Sequence, residues 1–466
     1  MKKIIFIGIS LIIYSTVHSQ TTQDWAKVYE GRGVCYSIAQ TNDSNFVVVG
    51  RTFSETNQIY NCTIIKLNNS GNEIWRKSIN STTYDEARKV IVNSNGELII
   101  AGNRNYYPLL LKTNSLGDTL WTRQIVVNDT MIGQIRDMQP ISDSGYVLAG
   151  IYGDSFNLDE NKVWLIRTNN EGNLIWSKLF TNGYANAITI INQNDIVVVG
   201  GNQLLKINSA GNILWDITIT GNYYYEFYSV KETNDKGFIL VGSSSSSGYK
   251  DLCIVKTDKD GNKMWEKMYS TDWEEVGRDV IQTADGSYLI LGRAQNSNAG
   301  GPMRLWLMKT NADGDTLWTR KYSVSNDYFS YVYPEAFIQT YDNKIVVAGN
   351  SDLSGTINWF VSKYTLSLSG IEYSSNPIST EFTLFQNYPN PFNPSTKIKF
   401  NIPRSAEVKL SIYDVTGKLI SRLLDRYLTQ GLYETDFDAS SLSSGIYFYQ
   451  IEYSNYSQSR KMLLLK

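Results

Sequence analysis

Histidine is almost absent from this chain, because His18 is the only one in 466 residues. Two N-terminal lysines, an apolar run over residues 4–13 and small or polar residues up to Ser19 predict a signal peptide, residues 1–20, whose cleavage removes His18. The apolar run is shorter than the roughly 20 residues of a membrane-spanning helix, so we expect no transmembrane segment in the mature chain. Without imidazole, the mature protein cannot use a Ser-His-Asp or Cys-His nucleophile system or a His-ligated metal.

Cysteine and excess charge are also scarce. Cys35, Cys62 and Cys253 can form at most one disulfide, so burial of apolar side chains has to stabilise the fold. With 43 basic and 45 acidic residues the formal net charge is −2, which gives no electrostatic reason to expect a nucleic-acid partner. Aromatic residues make up 13% of the chain and charged residues 19%, a composition that excludes intrinsic disorder and favours β-structure.

A repeated phrase is the most informative feature of the sequence. Glycine, a polar residue, two further residues and tryptophan recur six times, and Trp25 marks a seventh unit. Successive tryptophans of the series are 39 to 55 residues apart, which is the length of one four-stranded repeat of a β-propeller. The seven tryptophans are Trp25, Trp75, Trp121, Trp176, Trp215, Trp265 and Trp318.

Two further patterns have the same period. Seven short β-branched runs end in glycine, from Gly50 to Gly349, and seven other apolar runs end near a basic residue. Each unit therefore contains about four strands, which predicts an all-β fold with a seven-bladed β-propeller over residues 21–370. The strand of Trp25 has no preceding partners and the last unit ends without a Trp strand, so we expect the Trp25 strand to pair beside that of Trp359 and close the ring.

The phrase K-T-N/D-x-x-G-N/D-x-x-W resembles the tryptophan-docking motif of quinoprotein-type propellers over residues 24–370. Enzymes of that type use adjacent cysteines and calcium ligands near the cofactor. This chain has no Cys-Cys pair, so the resemblance supports the architecture, disfavours a quinone-dependent oxidoreductase and leaves us expecting no cofactor. Asp258, Asp260 and Asn262 mimic the start of a calcium loop, but its glycine and distal glutamate are missing, so we expect a hydrogen-bonded turn and no metal.

The strand after each Trp strand is expected to line the central channel. At one aligned position these strands carry tyrosines and arginines, which together can bind anions or sugars. The alternative is that they only solvate a polar channel mouth, with Asp137 and Asp279 pairing with Arg136 and Arg278. The candidate ligand-binding residues are Tyr36, Arg88, Arg136, Tyr228 and Arg278.

Catalysis without histidine could use two carboxylates, as glycoside hydrolases do. The sequence shows no two of them converging, so we assign no catalytic residue and keep a carbohydrate-active hydrolase or lyase as the alternative function. Tyr223, Tyr224 and Tyr225 are either a stacking platform for carbohydrate or a strand edge. The candidate carboxylates are Asp85, Glu86, Glu274, Glu275 and Glu335.

The repeat stops after Lys363, where a Ser-rich segment predicts a linker over residues 371–380. About seven alternating segments between Pro or Gly turns then predict a small β-sandwich over residues 381–466. The phrases LFQNYPNPFNPSTKIKFNIP, SIYDVTGKLI and the terminal RKMLLLK resemble the type A C-terminal sorting domain of the type IX (Por) secretion system of Bacteroidetes-like bacteria. The resemblance implies an Ig-like sandwich recognised by that machinery at the outer membrane and removed on release or surface attachment. The alternative is an Ig-like adhesion module retained in the mature protein.

The motif of this resemblance combines prolines and glycines. We interpret the prolines as fixing an extended segment and the glycines as turn residues where a side chain would be strained. We therefore expect a secreted protein, extracellular or attached to the outer cell surface, whose propeller presents loops to an extracellular glycan or to another protein. The motif residues are Asn387, Pro389, Asn390, Pro391, Phe392, Gly417, Gly431 and Gly445.

Overall fold

The structure is a computed structural model in which the chain divides into two units, Thr22–Thr365 and Leu366–Lys466. It describes residues 21–466 except for 80–81, 128–132, 143–144, 154–160, 192–193, 222, 246–248, 271–273, 296–300, 324–330, 354, 367–371, 375–381, 404–405, 429–430, 441 and 454–455. The predicted signal peptide, residues 1–20, lies outside the described residues. No helix in the described part of the chain is long and apolar enough to cross a membrane.

The described residues of the first unit form strands with turns between them. The bounds are β1 Thr21–Tyr29, β2 Gly33–Gln40, β3 Phe46–Ser54, β4 Ile59–Leu67, β5 Glu73–Ile79, β6 Asp85–Val92, β7 Leu98–Arg104, β8 Tyr107–Thr113, β9 Thr119–Gln124, β10 Gly133–Ile141, β11 Gly145–Tyr152, β12 Lys162–Asn169, β13 Leu174–Asn182, β14 Ala187–Ile191, β15 Asp195–Gly200, β16 Gln203–Ile207, β17 Ile213–Thr218, β18 Tyr224–Glu232, β19 Phe238–Ser245, β20 Asp251–Thr257, β21 Lys263–Tyr269, β22 Glu275–Gln282, β23 Tyr288–Gln295, β24 Met303–Thr310, β25 Thr316–Tyr322, β26 Tyr331–Gln339, β27 Ile345–Leu353 and β28 Thr356–Leu366.

These strands form four-stranded sheets in sequence order, seven of them among the described residues. Six sheets consist of consecutive strands, from β2-β3-β4-β5 to β22-β23-β24-β25, and the last has the order β1-β28-β27-β26. The first strands β2, β6, β10, β14, β18, β22 and β26 each contact the next, and β26 contacts β2. The sheets therefore surround a central channel as in a β-propeller, which confirms the all-β propeller architecture expected from the repeats.

Apolar side chains on both faces of the second strands hold neighbouring sheets together. On β3, Val47 and Val49 pack with Ala87 and Leu98 of the following sheet. Val48 of the same strand faces the other way, into the cluster that contains Trp359. Each fully buried aliphatic side chain contributes about 1.5–3 kcal/mol. Burial on both faces explains why these runs are continuously apolar instead of alternating.

Five of the seven tryptophans of the series, Trp25, Trp75, Trp121, Trp215 and Trp265, lie against the glycine turn of the next sheet. A Cβ atom added at Gly117, which has φ +80°, would lie 2.6 Å from the ring of Trp75. Trp25 lies in the same way against Gly71, and its Nε1 donates a hydrogen bond to the carbonyl oxygen of Asn69 at 3.2 Å. The glycine of the phrase thus meets two requirements, a left-handed backbone and room for an indole ring.

A lysine in the third strand of several sheets pairs with an acid in the first hairpin turn. Lys309 lies 2.7 Å from Asp285, and both side chains are largely buried. Burial alone would raise the pKa of Asp285, but Lys309, Thr283 and the backbone of Ser287 lower that pKa to about 2. The corresponding pairs are Lys66–Asp43, Lys112–Glu97, Lys206–Asp195, Lys256–Asp235 and Lys363–Asp342. The basic residue of the third sequence pattern therefore ties the two hairpins of a sheet together.

The second unit consists of two packed sheets. Their orders are β29-β34-β31-β30 and β33-β32-β35-β36. The bounds are β29 Glu372–Ser374, β30 Thr383–Leu384, β31 Ser395–Ile402, β32 Ala406–Tyr413, β33 Leu419–Leu428, β34 Gly431–Asp438, β35 Gly445–Tyr453 and β36 Tyr456–Leu464. Phe400 on β31 and Tyr449 on β35 belong to one apolar cluster shared by both sheets. Strand β29 lies within the segment 371–380 that the sequence predicts as a linker, and it pairs with β34.

Replacing Gly117 by alanine tests the docking of tryptophan on the turn. Gly286 is the matched control, because its φ of +78° is equally left-handed but a Cβ there meets nothing within 4 Å. We expect about 1–2 kcal/mol of destabilisation from backbone strain in both variants, and about 1–3 kcal/mol more in Gly117→Ala from overlap with Trp75. Denaturant unfolding followed by tryptophan fluorescence measures the difference. Equal destabilisation of the two variants would show that the indole does not need the glycine.

Replacing Lys309 by methionine tests the hairpin ion pair. Because the folded-state pKa of Asp285 is about 2 and the unfolded value is roughly 3.9, the pair stabilises the fold above pH 4 and loses that effect as pH falls toward 2. We expect Lys309→Met to cost about 2 kcal/mol at pH 7, with the difference from the unsubstituted protein shrinking near pH 2.5. The control is Lys259→Met, which removes an exposed lysine paired only with the exposed Asp260 and should leave stability unchanged. A difference that did not depend on pH would contradict the ion-pair explanation.

Candidate functional site

A β-bulge places one side chain of the first strand in the channel. In six sheets the register between first and second strands shifts by one residue, for example between Cys35 and Ser37, so that Tyr36 is the extra residue. Gly50 lies opposite this bulge, and a Cβ there would overlap the carbonyl oxygen of Val34. Only glycine tolerates such close backbone contact, which explains the glycine at the end of the β-branched runs.

The bulged positions from six sheets and Asn186, which precedes the regular strand β14, line one cavity of about 290 Å³. The structure thus brings together all five residues that the sequence predicts for ligand binding. It adds to this set Asn186 and Glu335, which the sequence analysis missed as members. Both occupy the aligned position in their repeats, the fourth and the seventh, so the alignment of the repeats could have identified them. We call these seven residues the channel ring. The channel ring is Tyr36, Arg88, Arg136, Asn186, Tyr228, Arg278 and Glu335.

Each arginine of the channel ring has an oxygen partner and lies over a tyrosine ring. Arg88 Nε donates to Glu86 at 2.7 Å, and its guanidinium is 4.0 Å from the ring centroid of Tyr36. Arg278 Nη2 lies 2.6 Å from a carboxylate oxygen of Glu335, with the guanidinium 4.9 Å from the ring centroid of Tyr228. Such cation–π contacts fix the orientation of the guanidinium while leaving its outer N–H groups able to bind a ligand.

Arg136 differs from the other two arginines in the nature of its partner. Its Nη1 donates to the amide oxygen of Asn186 at 2.6 Å, and its guanidinium is 4.9 Å from the ring centroid of Tyr184. Burial, followed by repulsion from Arg88, lowers the pKa of Arg136. By contrast, burial lowers the pKa of Arg88, but Glu86, together with Tyr36 and Glu335, more than offsets this effect and raises that pKa.

The two tyrosines of the channel ring stay neutral at physiological pH. Burial raises the pKa of Tyr36 to about 12 even though Arg88 lowers it. Burial, reinforced by Glu226, likewise raises the pKa of Tyr228 to about 12. Their hydroxyl groups therefore offer hydrogen-bond donors and acceptors to a ligand but do not supply a phenolate base.

Asp137 and Asp279 bridge neighbouring first strands instead of pairing with Arg136 and Arg278, which corrects the pairing expected from the sequence. Asp137 accepts from Lys89 at 3.0 Å and from the backbone N–H of Ile188 at 2.9 Å. Asp279 accepts from Ser229 Oγ at 2.7 Å. The bulge moves each arginine away from the acid that follows it in the sequence. These acids thus hold adjacent strands of the channel in place.

The carboxylates considered for catalysis do not converge in the cavity. Asp85 is fully buried against Arg104 at 2.7 Å, and Glu274 pairs with Arg293 at 3.0 Å. Glu86 bridges Arg51 and Arg88 from outside the cavity lining. Of the five candidates, which also include the buried Glu275, only Glu335 lines the cavity. These five candidates therefore do not supply the cavity with the two carboxylates that a glycoside hydrolase needs.

The three consecutive tyrosines do not form one platform. Tyr225 is buried, and its hydroxyl donates to Glu266 at 2.8 Å. Tyr224 is 69% exposed and begins strand β18, so neighbouring rings point to opposite faces as strand geometry requires. Their ring positions follow the alternation of a strand.

Asp258 acts as a turn residue. Its Oδ1 accepts hydrogen bonds from the backbone N–H groups of Asp260 and Asn262, both at 2.9 Å. Its Oδ2 accepts from the side-chain amide of Asn262 at 2.9 Å. The same backbone pattern recurs at Asn68 and Asn114 in other sheets. In the described part of the chain, no three acidic, cysteine or histidine residues are grouped as metal ligands.

An aromatic rim surrounds one arginine beside the cavity. The guanidinium of Arg51 lies 4.8 Å from the ring centroid of Tyr60, 5.3 Å from that of Tyr84 and 5.9 Å from that of Tyr36. Phe53 extends the rim by an edge-to-face contact with Tyr60 at 5.3 Å. These side chains are half-buried, so the rim provides accessible aromatic surface next to the channel ring. Sequence reasoning missed it, because its members come from separate strands.

The proline-rich motif of the second unit holds the last strand of the chain. The Asn390 side chain accepts from the backbone N–H of Leu463 at 2.9 Å. The backbone of Phe392 pairs with those of Leu463 and Leu465 at 3.0 Å, while its ring is buried in the core. Asn387 donates to Thr396 Oγ1 at 2.9 Å and so fixes the start of the motif. The segment containing Pro389 and Pro391 is therefore a clasp around β36.

The glycines of the motif have different roles. Gly417 has φ +82° in a turn fixed by the Asp414 side chain, as the sequence predicts. Gly431 and Gly445 are instead the first residues of β34 and β35. A Cβ at Gly445 would meet nothing within 4 Å, so the expected strain from a side chain is wrong at that position.

Comparison with solved structures gives two β-propellers among the similar folds. The Dos1 propeller covers 74% of this chain and 96% of its own at 9% identity, with a TM-score of 0.48. The β-propeller domain of the Trilobed protease from Pyrococcus furiosus, described as having an open velcro topology, covers 75% and 97% at 12% identity, with a TM-score of 0.41. A protein of unknown function from Bacteroides caccae covers 64% and 97% at 10% identity, with a TM-score of 0.39. No curated protein is significantly similar in sequence.

Residues 386–465 match a family model described as a secretion system C-terminal sorting domain. This range begins just before the proline-rich clasp and ends one residue after β36, so it includes both partners of the contact described above. A sorting tail of this type implies secretion or attachment to the outer surface in Bacteroidetes-like bacteria. The last part of the chain, residues 386–465, is therefore a type IX secretion system C-terminal sorting domain.

Proposed function

We propose that this protein is a secreted or surface-attached binding protein exported by a type IX secretion system, and that its central cavity binds an extracellular glycan or protein. The observation that carries this proposal is the channel ring, in which six sheets and the residue before β14 each contribute one side chain to the same cavity. Polar and charged groups that converge in one cavity can fix the orientation of a ligand and give specificity.

The proposed architecture is a seven-bladed propeller over residues 21–370, with each four-stranded sheet as one blade. The position of β1 beside β28 supports closure of the last blade by both ends of the unit. A signal peptide over residues 1–20 would deliver the chain across the inner membrane. An Ig-like sandwich over residues 381–466, preceded by the short segment 371–380, would then direct the protein to the outer surface of the cell.

The hydrogen bonds and the ion pair made by the acidic residues of the cavity favour binding over catalysis. Asp137 and Asp279 accept hydrogen bonds from neighbouring backbone N–H groups, and Glu335 is paired with Arg278. A carboxylate that accepts these hydrogen bonds is engaged with its partners, so it is poorly placed to protonate or attack a substrate. The arginine and tyrosine groups, by contrast, present donors that suit recognition of a polar ligand.

A binding screen with matched arginine variants tests the cavity. The chain from residue 21 is applied to an array of glycans and extracellular proteins and assayed for polysaccharide depolymerisation. We expect binding without turnover, and a loss of at least roughly tenfold in affinity for Arg88→Ala, Arg136→Ala and Arg278→Ala, because each removes a charged contact at the centre of the site. Arg123→Ala is the control, since Arg123 is exposed on the outermost strand β9. Normal binding by the three cavity variants, or turnover of a polysaccharide, would contradict the proposal.

Replacing Phe392 by alanine tests whether the second unit directs export of the protein. Phe392 is buried at 2% exposure, and truncating a buried phenylalanine costs about 3–5 kcal/mol. We expect Phe392→Ala to loosen the clasp around β36 and to reduce the amount of protein at the cell surface or in the medium, measured by fractionation and immunoblotting. Tyr388→Ala is the control, because Tyr388 belongs to the same motif but is 80% exposed. Undiminished export after deletion of residues 380–466 would refute the sorting role.

A further inference from the structure

All but one of the cations in the cavity lining have a carboxylate partner, and one of these carboxylates, Glu86, is shared between Arg88 and Arg51. Five cationic and three acidic side chains line the cavity, and Glu86 pairs with Arg88 from outside the lining. Lys89 pairs with Asp137, Arg278 with Glu335, and Lys231 lies 3.9 Å from Asp279. Arg136 is the fifth cation, and no carboxylate among the described residues lies within ion-pair distance of it.

The surroundings of Arg136 prepare it for an anion. Its Nη1 is directed by the neutral amide of Asn186 and its face lies over Tyr184, so the guanidinium is oriented without being neutralised. Arg278, in the corresponding position of another sheet, has its charge balanced by Glu335 at 2.6 Å. A planar carboxylate on a ligand would give Arg136 the partner that Glu335 gives Arg278. Burial lowers the pKa of Arg136, and the positive charge of Arg88 lowers that pKa further.

The remaining lining points to a sugar as the body of the ligand. Apart from Ala187 and Ala336, every lining residue is polar, charged or a tyrosine, so the cavity offers no apolar pocket for a hydrophobic side chain. Gln134, Asn186 and Ser229 supply both donors and acceptors, as needed for a group with several hydroxyls. At about 290 Å³ the cavity lies at the small end of ligand sites, which suits a terminal saccharide unit instead of a long chain.

We propose that the cavity binds a sugar acid, the terminal hexuronate of an acidic saccharide, with its carboxylate on Arg136 and its hydroxyls on the other lining groups. This inference rests on the proposed function, since it names the ligand class of the same cavity. Specificity arises because an uncharged sugar leaves Arg136 without an anion, whereas a uronate completes the pairing of charges in the cavity.

Calorimetric titration of the chain from residue 21 tests the ligand class. The probes are D-glucuronate, D-galacturonate, their oligosaccharides, methyl α-D-glucoside and inorganic phosphate. We expect a uronate or its oligosaccharide to bind at least roughly tenfold more tightly than the glucoside and the phosphate, and to weaken as salt is added. Binding of the neutral glucoside at equal affinity would overturn the carboxylate assignment, and phosphate binding at equal affinity would overturn the sugar assignment.

Two substitutions should change the affinity for uronate in opposite directions. Arg136→Gln removes the unbalanced guanidinium and should lower uronate affinity by at least roughly tenfold, with Arg136→Lys intermediate because it keeps the charge but loses the planar fork. Glu335→Gln frees the guanidinium of Arg278 and should raise uronate affinity several-fold. Arg123→Gln, on an exposed outer strand, should change nothing, and thermal melting of each variant checks that it is folded. Unchanged uronate affinity in a folded Arg136→Gln protein would overturn the inference.

The outcome also separates this inference from the proposed function. Suppose that a neutral glycan or a protein binds, and that this binding is lost in the Arg88→Ala and Arg278→Ala proteins. That result would support the binding function and overturn the uronate assignment. Absence of binding for every glycan, protein and uronate probe would overturn both.

Discussion

The close contact between a second-strand glycine and the bulged backbone of the first strand is the constraint on which the site depends. At Gly50 a single added carbon would overlap the carbonyl of Val34, so the bulge at Tyr36 exists only because the opposite residue has no side chain. The bulge in turn moves that residue out of regular alternation and into the channel. Repetition of this arrangement around the propeller gathers side chains from distant parts of the chain in one cavity. The glycine opposite each bulge therefore determines where the site lies.

Ring geometry depends on a second contact, the docking of tryptophan on the next sheet. Trp75 covers the turn at Gly117, and Trp25 covers Gly71, so in five of the seven sheets an indole lies on the glycine turn of the next sheet. Because β1 lies beside β28, the Trp25 contact joins the two ends of the unit to the first complete sheet. A shared apolar cluster containing Phe46 and Trp359 lies between the same two sheets. Local backbone contacts and apolar burial thus specify the same arrangement, which is the consistency expected of a sequence that encodes one fold.

Much of the fold can be predicted from the sequence, because these contacts require particular residue types at fixed spacing. Only glycine fits the left-handed turn under an indole, so the phrase recurs and the sheets can be counted from it. The candidate residues of the cavity follow from the same counting, since the repeat aligns Tyr36 with Arg88 and Arg136. The hydrogen-bond and ion-pair partners of these residues cannot be predicted in this way, because the bulge interrupts the regular alternation of side chains along the strand. Asp137 therefore binds Lys89 and a backbone N–H of the next sheet, and Arg136 reaches Asn186, 50 residues away.

The channel separates residues that maintain the fold from residues that are free to specify a ligand. Two positions after each ring residue the side chain is always apolar and buried, from Ile38 in β2 to Phe337 in β26. The ring position itself holds tyrosine, arginine, asparagine or glutamate, so its chemistry is not dictated by packing. A side chain on a bulge faces the channel whatever its type, and substitution there changes charge and hydrogen bonding with little effect on neighbouring sheets. In the binding function that we propose, the charge pattern of the ring, with one guanidinium that has no carboxylate partner, is therefore the feature of the propeller that selects the ligand.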